Sequence, residues 1–162
     1  MKTAVVYYSM SGNTKTVAET VAEKLGAEMI EIQPVKEYPS KGARKFIWGG
    51  MKAVMGEKPK LQPYSFDESC DRIIFGTPVW ASSFTPPIRS FIEENRDALK
   101  GKRFAVFVCY AGGGAEKAIG KLRQFLNAEE FQAELILIDP KERPSKENDR
   151  MITAFCDRIR QA

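Results

Sequence analysis

Histidine is absent from this chain of 162 residues. The absence excludes mechanisms that need an imidazole base, a Ser-His-Asp triad or a histidine metal ligand. The three cysteines, Cys70, Cys109 and Cys156, include no Cys-x-x-Cys pair, and their number is odd. This pattern argues against a disulfide framework and against a zinc site. We therefore expect each cysteine to be a small buried hydrophobic side chain.

The sequence also lacks a long hydrophobic run. No uninterrupted apolar segment reaches the roughly 18 residues that a membrane-spanning helix needs. The apolar run near the N-terminus stops at Ser9, so we interpret it as a first strand and not as a signal peptide. We expect a cytoplasmic protein that does not contact a membrane. Since 43% of the residues are hydrophobic, we expect one domain over residues 1–162.

The formal net charge of +4 is unevenly distributed. Residues 41–60 carry a net +5, which leaves −1 for the remainder of the chain. This basic segment is either a solvated loop or helix face, or a docking patch for an anionic partner or cofactor. Nucleic-acid binding is disfavoured because no basic stripe with interleaved aromatics repeats elsewhere. The basic residues of the segment are Lys41, Arg44, Lys45, Lys52, Lys58 and Lys60.

Strand-like apolar runs alternate with segments of helical periodicity along the chain. This alternation is typical of a parallel sheet with helices on both faces. The connection between the second and third strands is unusually long, and residues 44–55 within it show helical periodicity. We predict strands over residues 3–8, 28–33, 72–77, 102–110 and 135–138. We predict helices over residues 14–25, after Pro86-Pro87, after Gly112-Gly113-Gly114 and after a cap at Ser145.

The segment Ser9-Met10-Ser11-Gly12-Asn13-Thr14 joins the first strand to the first helix. A chain that turns from a strand into a helix directs several backbone N–H groups at one point, where the helix dipole favours negative charge. The hydroxyl groups of this segment can add donors, and Gly12 permits close approach of a ligand. The segment therefore predicts a phosphate site. We expect dipoles and hydroxyl groups to hold the phosphate without a cationic side chain.

Two further loops follow the third and fourth strands. The first, residues 78–87, contains Trp80, whose indole can stack on an aromatic ligand or can anchor the loop to the sheet. The second contains Gly112-Gly113-Gly114, which either lets a planar group approach the backbone or forms a turn without a ligand. Because the carboxyl ends of parallel strands meet at one edge, we expect these loops to lie beside the phosphate segment.

A phosphate site, an indole and a glycine-rich slot together suit a flat aromatic ligand with one phosphate. Flavin mononucleotide (FMN) fits this description better than a nicotinamide dinucleotide. Neither Gly-x-Gly-x-x-Gly nor the P-loop pattern follows the first strand.

These motifs resemble those of the flavodoxin family. Residues 9–14 resemble its phosphate loop, and Gly76-Thr77-Pro78-Val79-Trp80 resembles its second flavin loop. The resemblance implies a three-layer α/β sandwich whose five-stranded parallel sheet has the order 2-1-3-4-5. It also implies an FMN cofactor, with no metal and no catalytic side chain. By position, the resemblance assigns phosphate binding to Ser9, Ser11, Gly12, Asn13 and Thr14. It assigns one side of the flavin ring to Pro78, Val79, Trp80, Ala81 and Ser82. It assigns the other side of the ring to Tyr110, Ala111, Gly112, Gly113 and Gly114.

The resemblance leaves the redox role open. Electron-transfer flavodoxins are acidic, whereas this chain is basic around residues 41–60, and Ala81 stands where many members have glycine. The leading hypothesis is an electron carrier that serves a redox partner protein. An alternative is an NAD(P)H-dependent quinone reductase, and a remote one is a flavin-free interaction module. The sequence is compatible with a monomer or a homodimer, and it does not show whether Phe46 and Trp48 cover the flavin.

Overall fold

The computed structural model describes residues 1–38 and 56–162. Five parallel strands form one sheet with the order β2-β1-β3-β4-β5, which confirms the predicted fold class. In chain order the described elements are β1 (Thr3–Tyr7), α1 (Asn13–Leu25), β2 (Glu28–Glu31), β3 (Arg72–Pro78), α2 (Pro86–Glu94), β4 (Arg103–Tyr110), α3 (Ala115–Leu126), β5 (Glu134–Ile138) and α4 (Lys146–Gln161).

The position of each strand in the sheet follows from its sequence. All five residues of β1 are buried, and β4 is buried from Phe104 to Cys109, because helices cover both faces of these inner strands. In β2, by contrast, only Ile30 is buried, as expected for a short strand at the edge of the sheet. The continuous apolar runs therefore mark the centre of the sheet.

Two hydrophobic cores lie on opposite faces of the sheet. The apolar faces of α2 and α3, including Phe91 and Leu122, pack against Phe75 and its neighbours on one face. The apolar faces of α1 and α4, including Val21 and Phe155, pack on the other face. Successive residues of a strand point to opposite faces, so each inner strand contributes to both cores. The result is the three-layer arrangement that the alternation of elements predicts.

The helix ends follow the predicted signals. Gly26 adopts a left-handed conformation after α1, with φ of 61°, and its N–H donates to the carbonyl groups of Ala22 and Glu23. The Ser145 hydroxyl accepts a hydrogen bond from the Asn148 amide at 3.0 Å and caps α4. Helix α1 begins at Asn13, one residue earlier than predicted.

The long connection between β2 and β3 is closed at its base. Pro34 and Leu61 form an antiparallel bridge, with hydrogen bonds of 2.8 Å from Val35 to Lys60 and from Gln62 to Gln33. The predicted helix over residues 44–55, together with Phe46 and Trp48, lies outside the described residues.

The three cysteines are buried, as their sequence pattern predicts, and none of them forms a disulfide. Among the helices of residues 1–38 and 56–162, none has the length and apolar character required to cross a membrane.

Gly76 in β3 lies directly beneath the ring of Phe107 in β4. A Cβ atom at position 76 would stand 2.2 Å from Cζ of Phe107, which is closer than any stable contact. Because Phe107 is fully buried, its ring has no free space into which it could move. The absence of a side chain at position 76 thus sets how these two strands pack.

We expect Gly76→Ala to lower the free energy of unfolding by about 1–3 kcal/mol, the usual cost of overpacking a core. Urea denaturation followed by circular dichroism measures this change. The matched control is Gly120→Ala in α3, where a Cβ atom meets nothing within 4 Å. This control should be neutral or stabilising by up to about 1 kcal/mol, because alanine is the better helix former. Equal effects of the two substitutions would contradict the packing argument.

Candidate functional site

A cleft opens at the carboxyl ends of the central strands. Its volume is about 270 Å³, and the three loops predicted from the sequence all contribute to it. The edge of the sheet at which it lies is the one where α/β proteins bind ligands. A larger groove of about 670 Å³ lies where β4 begins, at the opposite edge. The residues that line the cleft are Met10, Ser11, Asn13, Thr14, Pro78, Val79, Trp80, Cys109, Tyr110, Ala111 and Asp139.

The segment before α1 has a conformation fixed by its own hydrogen bonds. The Ser9 hydroxyl accepts hydrogen bonds from the amides of Gly12 at 3.2 Å and of Lys15 at 3.1 Å. Gly12 has a φ of 96°, in the left-handed region that favours glycine. Ser9 and Gly12 therefore shape the segment without lining the cleft.

Several backbone donors in this segment are free. Within the described part of the chain, the amide N–H groups of Ser11, Asn13 and Thr14 donate no hydrogen bond to a protein acceptor. All three residues line the cleft, at the positive end of the α1 dipole. The arrangement is suited to binding an anion.

Thr14 and Cys109 meet at the inner wall of the cleft. Thr14 is 1% exposed, and its hydroxyl is near enough to the Cys109 thiol to influence the pKa of that thiol. Burial raises the pKa of the Cys109 thiol to about 12, against a smaller lowering by the Thr14 hydroxyl. The thiol consequently stays protonated at neutral pH and is not a nucleophile.

Trp80 lies in an aromatic cluster with two tyrosines. Its ring meets Tyr8 and Tyr38 edge to face, with centroid distances of 5.6 and 5.2 Å. Burial raises the pKa of Tyr38 to about 12, and it raises the pKa of Tyr8 further. Although Trp80 lines the cleft, it is only 3% exposed and belongs to the hydrophobic core, so little of the indole that the sequence suggested for stacking is accessible. Contact between Trp80 and a ligand stays a prediction.

The loop after Trp80 turns back sharply. Trp80 and Ser83 exchange two backbone hydrogen bonds of 3.0 and 2.9 Å, and the residues between them, Ala81 and Ser82, have φ angles of 48° and 58°. Two successive positive φ values are typical of a type I′ turn. Non-glycine residues in this conformation cost about 1–2 kcal/mol each, so the turn is under local strain.

The second and third loops are in contact. A Cβ atom at Gly114 would lie 2.4 Å from the Ser82 hydroxyl oxygen and 2.9 Å from the Ser82 backbone. Gly114 also has a φ of 83° and precedes α3. Among the other predicted residues of these loops, Tyr110 and Ala111 line the cleft, whereas Ala81, Ser82 and Gly112 to Gly114 do not. Their assignment to a cofactor remains a prediction.

The structure brings to the cleft a fourth loop that we did not predict from the sequence. Asp139 follows β5 and lines the cleft. Two residues later, the Lys141 amide donates to the Asn13 side-chain oxygen at 2.9 Å, and Lys141 Nζ lies 3.4 Å from the Ser11 carbonyl oxygen. A cationic side chain therefore lies beside the segment before α1, where we expected none. Because the carboxyl ends of parallel strands meet at one edge of the sheet, the loop after β5 could have been predicted at the cleft in the same way as the first three loops.

Most of the basic segment lies beyond the described residues. Of its charged side chains only Glu57, Lys58 and Lys60 are described, and Lys58 forms an ion pair of 3.4 Å with Glu93. A role of the segment in docking stays a prediction.

Solved structures share the fold of this chain. A flavoprotein from Lactobacillus acidophilus, in complex with FMN, is 21% identical over 87% of this chain and 95% of its own, with a TM-score of 0.68. A protein from Bacteroides eggerthii is 21% identical over 96% of both chains, with a TM-score of 0.76. The two-electron reduced flavodoxin of Megasphaera elsdenii is 17% identical over 99% of both chains, with a TM-score of 0.61.

The model of the flavodoxin family matches residues 5–152, which is most of the chain. The matched region includes the segment before α1, the loops after β3 and β4, and Asp139 and Lys141 after β5. The chain therefore belongs to the flavodoxin family.

Proposed function

We propose that this protein binds FMN in the cleft and transfers electrons to or from a redox partner protein. The observation that carries the proposal is the group of free amide donors at Ser11, Asn13 and Thr14, beside a cleft that the other two loops complete. Membership of the flavodoxin family and the FMN bound to the Lactobacillus acidophilus flavoprotein support the same cofactor.

The residues present fit the phosphate of FMN. The N–H donors and the α1 dipole suit an anion, and the exposed Ser11 hydroxyl can add a further hydrogen bond. Thr14 is different, since its side chain is buried and leaves mainly its backbone amide for a ligand. The donors at this end of the cleft are thus mainly backbone groups, whose positions are fixed by the start of the helix.

The remainder of the cleft suits a flat ring. Pro78, Val79 and Trp80 line the cleft after β3, and Tyr110 and Ala111 line it after β4. When bound, FMN would supply the electron-accepting and electron-donating chemistry. This chain would contribute orientation and a surrounding of low polarity, and the protonated Cys109 thiol adds no charge beside the ring. Such a site needs no acid or base, in accord with the lack of histidine.

Ser11→Asp tests the phosphate site. The carboxylate would face the phosphate at the free amide donors, so we expect FMN affinity to fall by at least tenfold, or about 1.4 kcal/mol. Titration of the apoprotein, followed by the loss of FMN fluorescence, measures this change. Position 11 is exposed, so the variant should fold, whereas a charge at the buried Thr14 would disturb the core.

The matched control is Ser65→Asp, which makes the same change at an exposed residue that does not line the cleft. It should leave FMN affinity unchanged. Equal losses in the two variants, or none in Ser11→Asp, would contradict the phosphate assignment.

Trp80→Leu tests the proposed wall of the ring. Loss of an aromatic contact should weaken FMN binding by about 1–3 kcal/mol, on the scale of stacking between bases and aromatic side chains. Trp80→Phe, which keeps an aromatic ring, should lose less of the free energy of FMN binding. Both variants are measured by the same fluorescence titration.

Phe84→Leu is the control for damage to the core. Phe84 is 1% exposed in the same loop and does not line the cleft. Phe84→Leu should lower the free energy of unfolding and have little effect on the affinity for FMN. If Trp80→Leu and Phe84→Leu weaken FMN binding equally, Trp80 supports the loop and does not contact the ring.

The choice between carrier and reductase is tested by turnover. We expect the purified FMN-loaded protein to oxidise NADPH and NADH with a quinone acceptor no faster than free FMN at the same concentration. The change in absorbance at about 340 nm follows the nicotinamide. Catalytic turnover above that control would overturn the carrier role and assign the alternative, an NAD(P)H-dependent quinone reductase.

A further inference from the structure

The Lys141 side chain crosses the segment that precedes α1. Its Cδ and Cε atoms would stand 3.4 and 3.6 Å from a Cβ atom at Gly12, and its Nζ atom would stand 2.9 Å away. The same Nζ atom lies 3.4 Å from the Ser11 carbonyl oxygen. The lysine can take this path because residue 12 has no side chain. Its ammonium group therefore lies beside the residues that carry the free amide donors.

The loop that carries Lys141 is held in place by backbone groups. The Lys141 amide donates to the Asn13 side chain at 2.9 Å, and the Arg143 amide donates to the Asp139 carbonyl at 2.8 Å. These bonds do not involve the ammonium group. Substitution of the Lys141 side chain should thus leave the loop in position, which allows the role of the charge to be measured separately.

The charge of Lys141 is not neutralised by a neighbouring acid. Within residues 1–38 and 56–162 it forms no ion pair, although Asp139 lies two residues away. Asp139 itself lines the cleft. Beside the start of α1, free N–H donors, the positive end of a helix dipole and a lysine without an ion pair in the described part of the chain therefore lie close together, and each of them favours an anion.

We propose that Lys141 is a binding residue for the phosphate of the cofactor and provides its counter-charge. The proposal rests on the proposed function, since it takes the phosphate to lie at the start of α1. A phosphate monoester carries between one and two negative charges at neutral pH. Lys141 therefore makes the site selective for the phosphorylated flavin over riboflavin, which has the same ring system but no phosphate.

The test is a pair of titrations of the apoprotein, one with FMN and one with riboflavin. We expect Lys141→Gln to weaken FMN binding by about five- to tenfold. Such a loss lies between the contribution of an exposed ion pair and that of a hydrogen bond to a charged group. Riboflavin binding should not change. Lys141→Arg should retain most of the FMN affinity. The matched control is Lys121→Gln, at an exposed lysine of α3 that does not line the cleft.

Salt provides a second readout. In about 1 M KCl, where the Debye length is about 3 Å, the difference in FMN affinity between wild type and Lys141→Gln should shrink. A purely structural role of the side chain would give a difference that salt does not change.

The outcomes separate the two proposals. If wild type binds FMN but Lys141→Gln binds it equally well, Lys141 is not a phosphate ligand and the proposed function stands. Equal weakening of FMN and riboflavin binding would show that Lys141 only supports the loop, and would overturn its role as a counter-charge. If wild type binds neither flavin, the proposed function itself fails, and the inference about Lys141 fails with it.

Discussion

The position of β1 between β2 and β3 is the constraint on which the rest of the site depends. From β1 the chain passes through α1 to β2 on one side, while β3 leads through α2 to β4 on the other. The two connections lie on opposite faces of the sheet, so the loops that begin them diverge and leave a cleft. Two backbone hydrogen bonds of 3.1 Å, from Tyr8 to Gly76 and from Val79 to Cys109, hold the beginnings of these loops on the sheet.

The cleft is built mainly from backbone conformation. Gly12 and Gly114 adopt left-handed angles immediately before α1 and α3, and Ala81 and Ser82 adopt them in the intervening turn. The donors that face the cleft are amide groups, whose positions follow from these angles and whose charge does not change with pH. Backbone donors of this kind suit an anion at any pH at which the protein is folded.

The sequence predicted the order and type of the elements because inner parallel strands, such as β1 and β4, are apolar throughout. It also predicted which loops share an edge, since that follows from strand direction alone. It did not predict that Tyr8 and Tyr38 pack edge to face against Trp80, because this depends on how distant segments pack. The contact of Lys141 with the first loop was missed for a similar reason, as Asn13 and Lys141 are 128 positions apart.

The contact between Ser82 and Gly114 limits the order in which substitutions can accumulate in this protein. A side chain at position 114 would collide with both the hydroxyl group and the backbone of Ser82. Shortening residue 82 removes only part of that obstacle, so the turn of the second loop must also shift before a larger residue enters the third. Proteins descended from this sequence should consequently change in both loops together, and not in one loop alone.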